Sequence, residues 1–362
     1  MWVDPPDENG DETLHIVSAQ RALKLKGSFF REFQTLVVPL LDGTNSVEDI
    51  AAATEDVFRA EDLRQSLGVL AEHGIVVEGA SPAPPAAARP AIRRAPQSNL
   101  LAELAPGLDI ERELRASTVS VVGLGGAGAG IALGLAAAGV GNVRCVDWSP
   151  VTGADLYLSP YLAAERVGAS RGAAVRELIA ASTDVEVTTV DTSLETEQDI
   201  EVAVEGSHAV VCCLDASLSN VIYKLNRVCL AARRRWLFCG VSGAEIVVGP
   251  GIEPGRTACY MCYRMRSIAC AGNPEEAFAY ERYLDRRKQD DSGQRENLVF
   301  GVGLAANLAG LEMTKLLSGW AEPGLTGRIL TVRLTDLSIR THTVLRKPWC
   351  PACFEPAATD AS

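Results

Sequence analysis

The stretch VVGLGGAGAG, Val121–Gly130, decides how this chain is read. A β-branched run ends in a turn where Gly123, Gly125 and Gly128 satisfy G-x-G-x-x-G, and Gly126 doubles the second glycine. Such a turn bends tightly and lets a phosphate approach the amide N–H groups at the start of the following helix. Asp147 ends the next apolar run, 24 residues beyond Gly123, where a carboxylate suits the two hydroxyls of a ribose. The plain alternative is a glycine turn that only packs strand on helix. The flanking strand, helix and acid together favour a nucleotide-type architecture, without deciding between NAD and ATP.

Outward from that turn, strand-like and helix-like segments alternate from about residue 100. NVRCVDW, VEVTTVD, AVVCCLD and RWLFCGVSG read as strands, with RGAAVRELIAAS and NVIYKLNRVCLAA as helices between them. The pattern predicts an α/β fold, a doubly wound Rossmann-like sheet. GRILTVRLTDLSIRTHTVL alternates apolar and polar residues and predicts an antiparallel tail.

Upstream, LHIVS and ALKL predict a hairpin, and three helical segments follow. Ser46 with Asp49 three residues on marks one helix start, and Leu63, Leu67 and Leu70 mark the inward face of the third helix. With IVVEG as a closing strand, residues 13–79 form a small winged-helix-like domain. Residues 80–98, rich in proline and alanine, read as a linker, and residues 99–354 as the α/β domain. Residues 1–12 are acidic and turn-rich and are expected to be disordered; 355–362 is a tail.

The net charge of −12 repels nucleic acid and anionic membrane, and no apolar run reaches the length of a membrane span. Without a secretory signal the expected compartment is the cytoplasm, and ten cysteines there argue against a disulfide scaffold. Cys259 and Cys262, with Cys350 and Cys353, form two C-x-x-C knuckles beside turn residues, the pattern of a structural Zn²⁺ site. The other cysteines read as buried hydrophobes, Cys270 alone lying in a polar context. His15, His73, His208 and His342 show no metal-binding spacing.

GLGGAGAG, Asp147, AVVCCLD ending in Asp215, CYMC, ENLVFGVGLAANLAGLEMTKLLSG and CPAC occur in an order that resembles the ThiF/MoeB adenylating enzymes, relatives of the ubiquitin-activating enzymes. LHIVSAQRALKLKG and LVVPLLDGTNSVEDIAAAT resemble the PqqD-like leader-peptide recognition domain of ribosomal peptide modification. The two together resemble the leader-binding partner of azoline-forming cyclodehydratases. The resemblance implies a homodimer, a precursor leader peptide as ligand and a YcaO-type, ATP-using enzyme as partner. Leu25, Leu63, Leu67 and Leu70 would then line the peptide groove.

The same resemblance assigns Gly123, Gly125, Gly126 and Gly128 to the nucleotide loop, Asp147 to the ribose, Asp215 to Mg²⁺ and Arg171 to the lysine that faces the phosphates of ATP. Asp215 and Arg171 are thereby the catalytic candidates. Asp155 stands where the family carries asparagine, Leu158 where it carries arginine, and Asn99 near the arginine donated across the dimer. Positioned cations stabilise the charge that builds during attack on ATP, and losing one such contact typically costs a hundredfold or more in rate. The expected role is therefore a degenerate adenylyltransferase acting as a non-catalytic scaffold. An active enzyme that adenylates a carboxylate of the bound precursor is the alternative.

Overall fold

The computed structural model describes residues 1–17, 22–73, 75–76, 88–159, 162–214, 218–287 and 297–354. The chain divides into two compact units, Met1–Ile110 and Glu111–Ser362.

In the first unit β1 (Trp2–Asp4), β2 (Glu12–Val17) and β3 (Ala22–Gly27) form an antiparallel sheet in that order. The expected hairpin is β2–β3. The expected disorder of residues 1–12 is corrected by β1: Trp2 stacks on His15 at 4.6 Å, and Asp4 Oδ2 lies 2.7 Å from His15 Nε2. These contacts tie an acidic segment to the sheet that its composition alone left loose.

The first helical segment, 30–40, is broken into α1 (Phe30–Glu32), a π turn (Phe33–Val37) and a 3₁₀ turn (Val38–Leu40). Pro39 has no N–H to continue an α ladder. Buried Glu12 closes its start, accepting the Phe30 and Arg31 N–H groups at 2.7 and 3.1 Å. α2 (Val47–Ala53) opens with the expected Ser46–Asp49 capping box, and α3 (Ala60–Glu72) turns Leu63, Leu67 and Leu70 into the core. There they meet Phe33, Val37 and Ile50.

The closing strand IVVEG lies largely outside the described residues. α4 (Ala88–Leu104) makes the second half of the expected linker helical, continuing past Pro96. The arginines and alanines around those prolines are good helix formers, which the proline count concealed.

The second unit begins beside α5 (Ile110–Arg115) and builds the expected doubly wound sheet. Its elements run β4 (Thr118–Val122), α6 (Gly126–Ala138), β5 (Asn142–Val146), α7 (Gly153–Leu158), α8 (Arg171–Ser182) and β6 (Glu186–Val190). Then come α9 (Glu197–Val204), β7 (Ala209–Cys212), α10 (Ser219–Ala231), β8 (Arg235–Ser242) and β9 (Glu245–Ile252). α11 (Tyr260–Ala269), α12 (Pro274–Arg287), α13 (Val299–Ser318), β10 (Arg328–Arg333) and β11 (Ser338–Thr343) complete it.

The eight-stranded sheet has the order β11-β10-β9-β8-β7-β4-β5-β6. β4 to β8 are mutually parallel; β9, β10 and β11 join antiparallel. Strands covered on both faces read as continuous apolar runs, and Val119, Val121 and Val122 of β4 are fully buried. The strand order reverses where β4 lies between β5 and β7, and in such sheets that switch point opens a crevice beyond the strand C-termini. The glycine turn sits there.

Candidate functional site

The turn after β4 is shaped by contacts that exclude side chains. Gly123 adopts φ +87°, and a Cβ there would meet Leu214 Cδ2 at 2.9 Å. A Cβ on Gly128 would stand 1.8 Å from the Gly123 carbonyl oxygen, so strand and helix touch through backbone alone. Gly125 caps α6 without a side-chain hydrogen bond, and its carbonyl accepts the Gly128 N–H at 2.8 Å.

Asp147, nearly fully buried, occupies the end of β5. Its Oδ2 accepts the Leu124 N–H at 2.7 Å, and its Oδ1 accepts the Ser149 N–H at 2.8 Å. The carboxylate read as a ribose ligand is therefore also the tie that fixes the glycine turn to the next strand.

Arg171, the first residue of α8, reaches the same place. Its Nη2 and Nε donate to Asp155 Oδ2 at 2.9 and 3.1 Å, and its Nη1 lies 3.5 Å from Asp147 Oδ2. Asp155 Oδ2 also accepts from the Thr152 N–H and Oγ1, completing the capping box of α7. Both Arg171 Nη1 and Asp155 Oδ1 lie 3.9 Å from the position of a Cβ on Gly125. The ion pair thus stands over the start of α6. On the other side Val302 Cγ1 and Leu158 Cβ lie 2.8 and 3.4 Å from where a Cβ on Gly126 would be.

The structure brings Gly123, Gly125, Gly126, Gly128, Asp147 and Arg171 together. Asp215 lies outside the described residues, and Asn99 is exposed on α4. Sequence reading missed the Asp155–Arg171 pair and the Leu158–Val302 cover. The T-x-x-D run at Thr152 signalled the cap, but nothing in the sequence placed α8 opposite it.

The four knuckle cysteines converge. Cys259 caps α11, Cys262 follows in its first turn, and Cys350 and Cys353 lie in the turn after β11. Sulfur separations are 3.9 Å for Cys259–Cys262, 3.7 Å for Cys259–Cys350 and 3.6 Å for Cys262–Cys353. Tetrahedral Zn–S bonds of about 2.3 Å imply S···S of about 3.8 Å.

Burial pushes the Cys259 thiol well up and that of Cys353 up to about 11. Burial opposes Cys350 too, but hydrogen bonds from the Ala352 and Cys353 N–H groups and from the Cys262 and Cys353 thiols together lower its pKa below the ordinary value. Four sulfur donors this close together could hold a metal ion.

In the first unit Leu63, Leu67 and Leu70 are 1%, 6% and 4% exposed, and half-buried Leu25 packs on their cluster. As core residues they would meet a peptide only as the floor of a groove. Cys270 is exposed, and among the described residues no helix is long and apolar enough to cross a membrane.

The second unit thus joins a crossover sheet with a glycine turn at its switch point to a cluster of four cysteines. The ThiF family model matches residues 97–352, and the chain belongs to that family. Protein HesA of Leptolyngbya boryana is 28% identical over 251 residues, 68% of this chain and 82% of HesA. The molybdopterin-synthase adenylyltransferase of Escherichia coli is 24% identical over 255 residues, 68% and 90% of the two chains.

Among solved structures, E. coli MccB with ATP matches with a TM-score of 0.62 at 17% identity, over 94% of this chain and 98% of that one. E. coli MccB with MccA matches at 0.63 and 17%, over 94% and 97%. PaaA matches at 0.65 and 16%, over 96% and 99%. At these identities the likeness is one of fold.

Proposed function

We propose that this chain is a leader-binding scaffold of ribosomal peptide modification. In this reading the first unit captures the leader of a precursor peptide. The ThiF domain, as a homodimer with structural Zn²⁺ on Cys259, Cys262, Cys350 and Cys353, presents the core peptide to a YcaO-type cyclodehydratase. That enzyme spends ATP to turn Cys, Ser or Thr into azolines.

The observation that carries the reading is the edge of the first sheet. Among the described residues β3 pairs with β2 alone and no strand covers its outer edge, beside which Leu23 and Leu25 are half-buried. An extended peptide gains affinity from main-chain hydrogen bonds and selectivity from alternate side chains in such a place. The MccB structures with the MccA peptide, alike over 94% of this chain, support a peptide ligand. Fluorescence anisotropy of a labelled leader titrated with the full chain tests it: saturable binding supports the scaffold, and no binding at high micromolar protein removes it.

The second reading is an adenylating enzyme acting on the bound peptide, favoured by the intact glycines, by Asp147 and by the likeness to MccB with ATP. ATP–pyrophosphate exchange with purified chain and precursor separates the two. Robust exchange supports the enzyme and defeats the scaffold-only view.

A further inference from the structure

We infer that Asp155 shuts nucleotide phosphates out of the glycine turn by keeping an internal ion pair where they would sit. The inference rests on the reading of the ThiF domain as non-catalytic and does not depend on leader binding.

The start of a helix such as α6 attracts an anion through its first-turn N–H groups and the positive end of its dipole. Here an anion of the chain itself is already beside it. Asp155 Oδ1 lies 3.9 Å from the Cβ position of Gly125, while its Oδ2 takes four hydrogen bonds, two from Arg171 and two from Thr152. Side-chain exposures of 5% for Asp155, 4% for Asp147 and 15% for Arg171 set the cluster largely out of solvent, where charges act strongly on each other.

Among the described residues the cluster sets two carboxylates against one guanidinium, a formal excess of negative charge. A phosphate chain entering there would face that excess and would have to draw Arg171 from the two hydrogen bonds it makes to Asp155 Oδ2. On the Gly126 side the Leu158 and Val302 contacts offer no charge to repay the loss. Asparagine at position 155 would keep an oxygen for Thr152, lose the negative charge and release the guanidinium toward the turn.

Isothermal titration of the full chain with Mg²⁺–ATP tests this, comparing wild type with Asp155→Asn and with Asp155→Ala, each checked for an unchanged far-ultraviolet spectrum. The expected result is no saturation by wild type at millimolar ATP and a gain of about tenfold or more in at least one folded variant. Adding Arg171→Ala to the better variant is expected to abolish the gain, because the freed guanidinium is its source.

Micromolar binding by wild type overturns the inference, as does a folded variant pair that binds no better or a gain that survives loss of Arg171. Leader titration on the same samples keeps the two readings apart. Failure of the leader to bind removes the scaffold and leaves this result standing, whereas tight wild-type ATP binding does the reverse.

Discussion

The sulfurs of Cys259 and Cys350 stand 3.7 Å apart although 91 residues separate them along the chain. The contact joins the start of α11 to the turn after β11. Burial resists thiolate formation at Cys259, and thiolates this close repel one another unless a cation lies between them. The expected outcome is one equivalent of zinc per chain by plasma mass spectrometry, falling to a small fraction in Cys350→Ser. Binding free energies on the order of 10 kcal/mol are typical of such sites, so the variant is also expected to melt several degrees lower. Protein grown with ample zinc yet purified metal-free would sink the assignment.

Cys145, Cys212 and Cys229 lie in the sheet core or against it, and burial pushes each thiol up to about 12. In the unfolded chain they ionise near the ordinary value of about 8.5. A pKa raised by folding gives stability that is complete below the unfolded value and is lost as pH climbs toward the folded one. The chain is therefore expected to lose stability from about pH 9 to 12, at up to about 1.4 kcal/mol per unit for each thiol. Urea midpoints measured across that range check the slope, and a flat profile would contradict it. At pH 8, iodoacetamide should label exposed Cys270 well ahead of these three.

The alternation of strands and helices, the glycine turn and the cysteine set were legible because each is written in local pattern. Periodicity marks elements, glycine marks a backbone that must turn or touch, and paired C-x-x-C marks a tetrahedral donor set. What stayed hidden depends on partners distant in sequence. Asp147 looked like a ligand for ribose, yet it also holds the Leu124 N–H, a bond that exists only once β5 lies beside β4. Asp155 and Arg171 each depart from the ThiF-type motif in the sequence, but their pairing belongs to the packing of α7 and α8. β1 was unreadable because three residues are too few to show alternation.

The two kinds of glycine in α6 are expected to answer a methyl group in opposite ways. Gly128→Ala would drive its Cβ against the Gly123 carbonyl oxygen, at 1.8 Å, so the strand–helix turn must open. Several kcal/mol and loss of soluble protein are the expected result. Gly134 has open space around its Cβ position, and Gly134→Ala is expected to add about 0.5–1 kcal/mol by restricting the unfolded chain. Thermal melts of the two variants read both effects, and equal tolerance would disprove the close approach.

If the leader joins the sheet at β3, its backbone should carry the affinity in a period of two. Along an antiparallel edge, successive residues of the added strand point their N–H groups alternately at β3 and at solvent. Methylating one backbone nitrogen of the peptide at a time removes a donor and adds bulk without touching the protein. Methyl groups on alternate residues are expected to weaken binding by about tenfold, corresponding to about 1.4 kcal/mol for a lost hydrogen bond with its crowding. Those between should change affinity little. The same scan on a peptide bound as a helix would follow a period near 3.6, and one held by side chains alone would show no period. Anisotropy titrations of the methylated series against the full chain distinguish these patterns, and only the alternating one is compatible with strand addition at Ala22–Gly27.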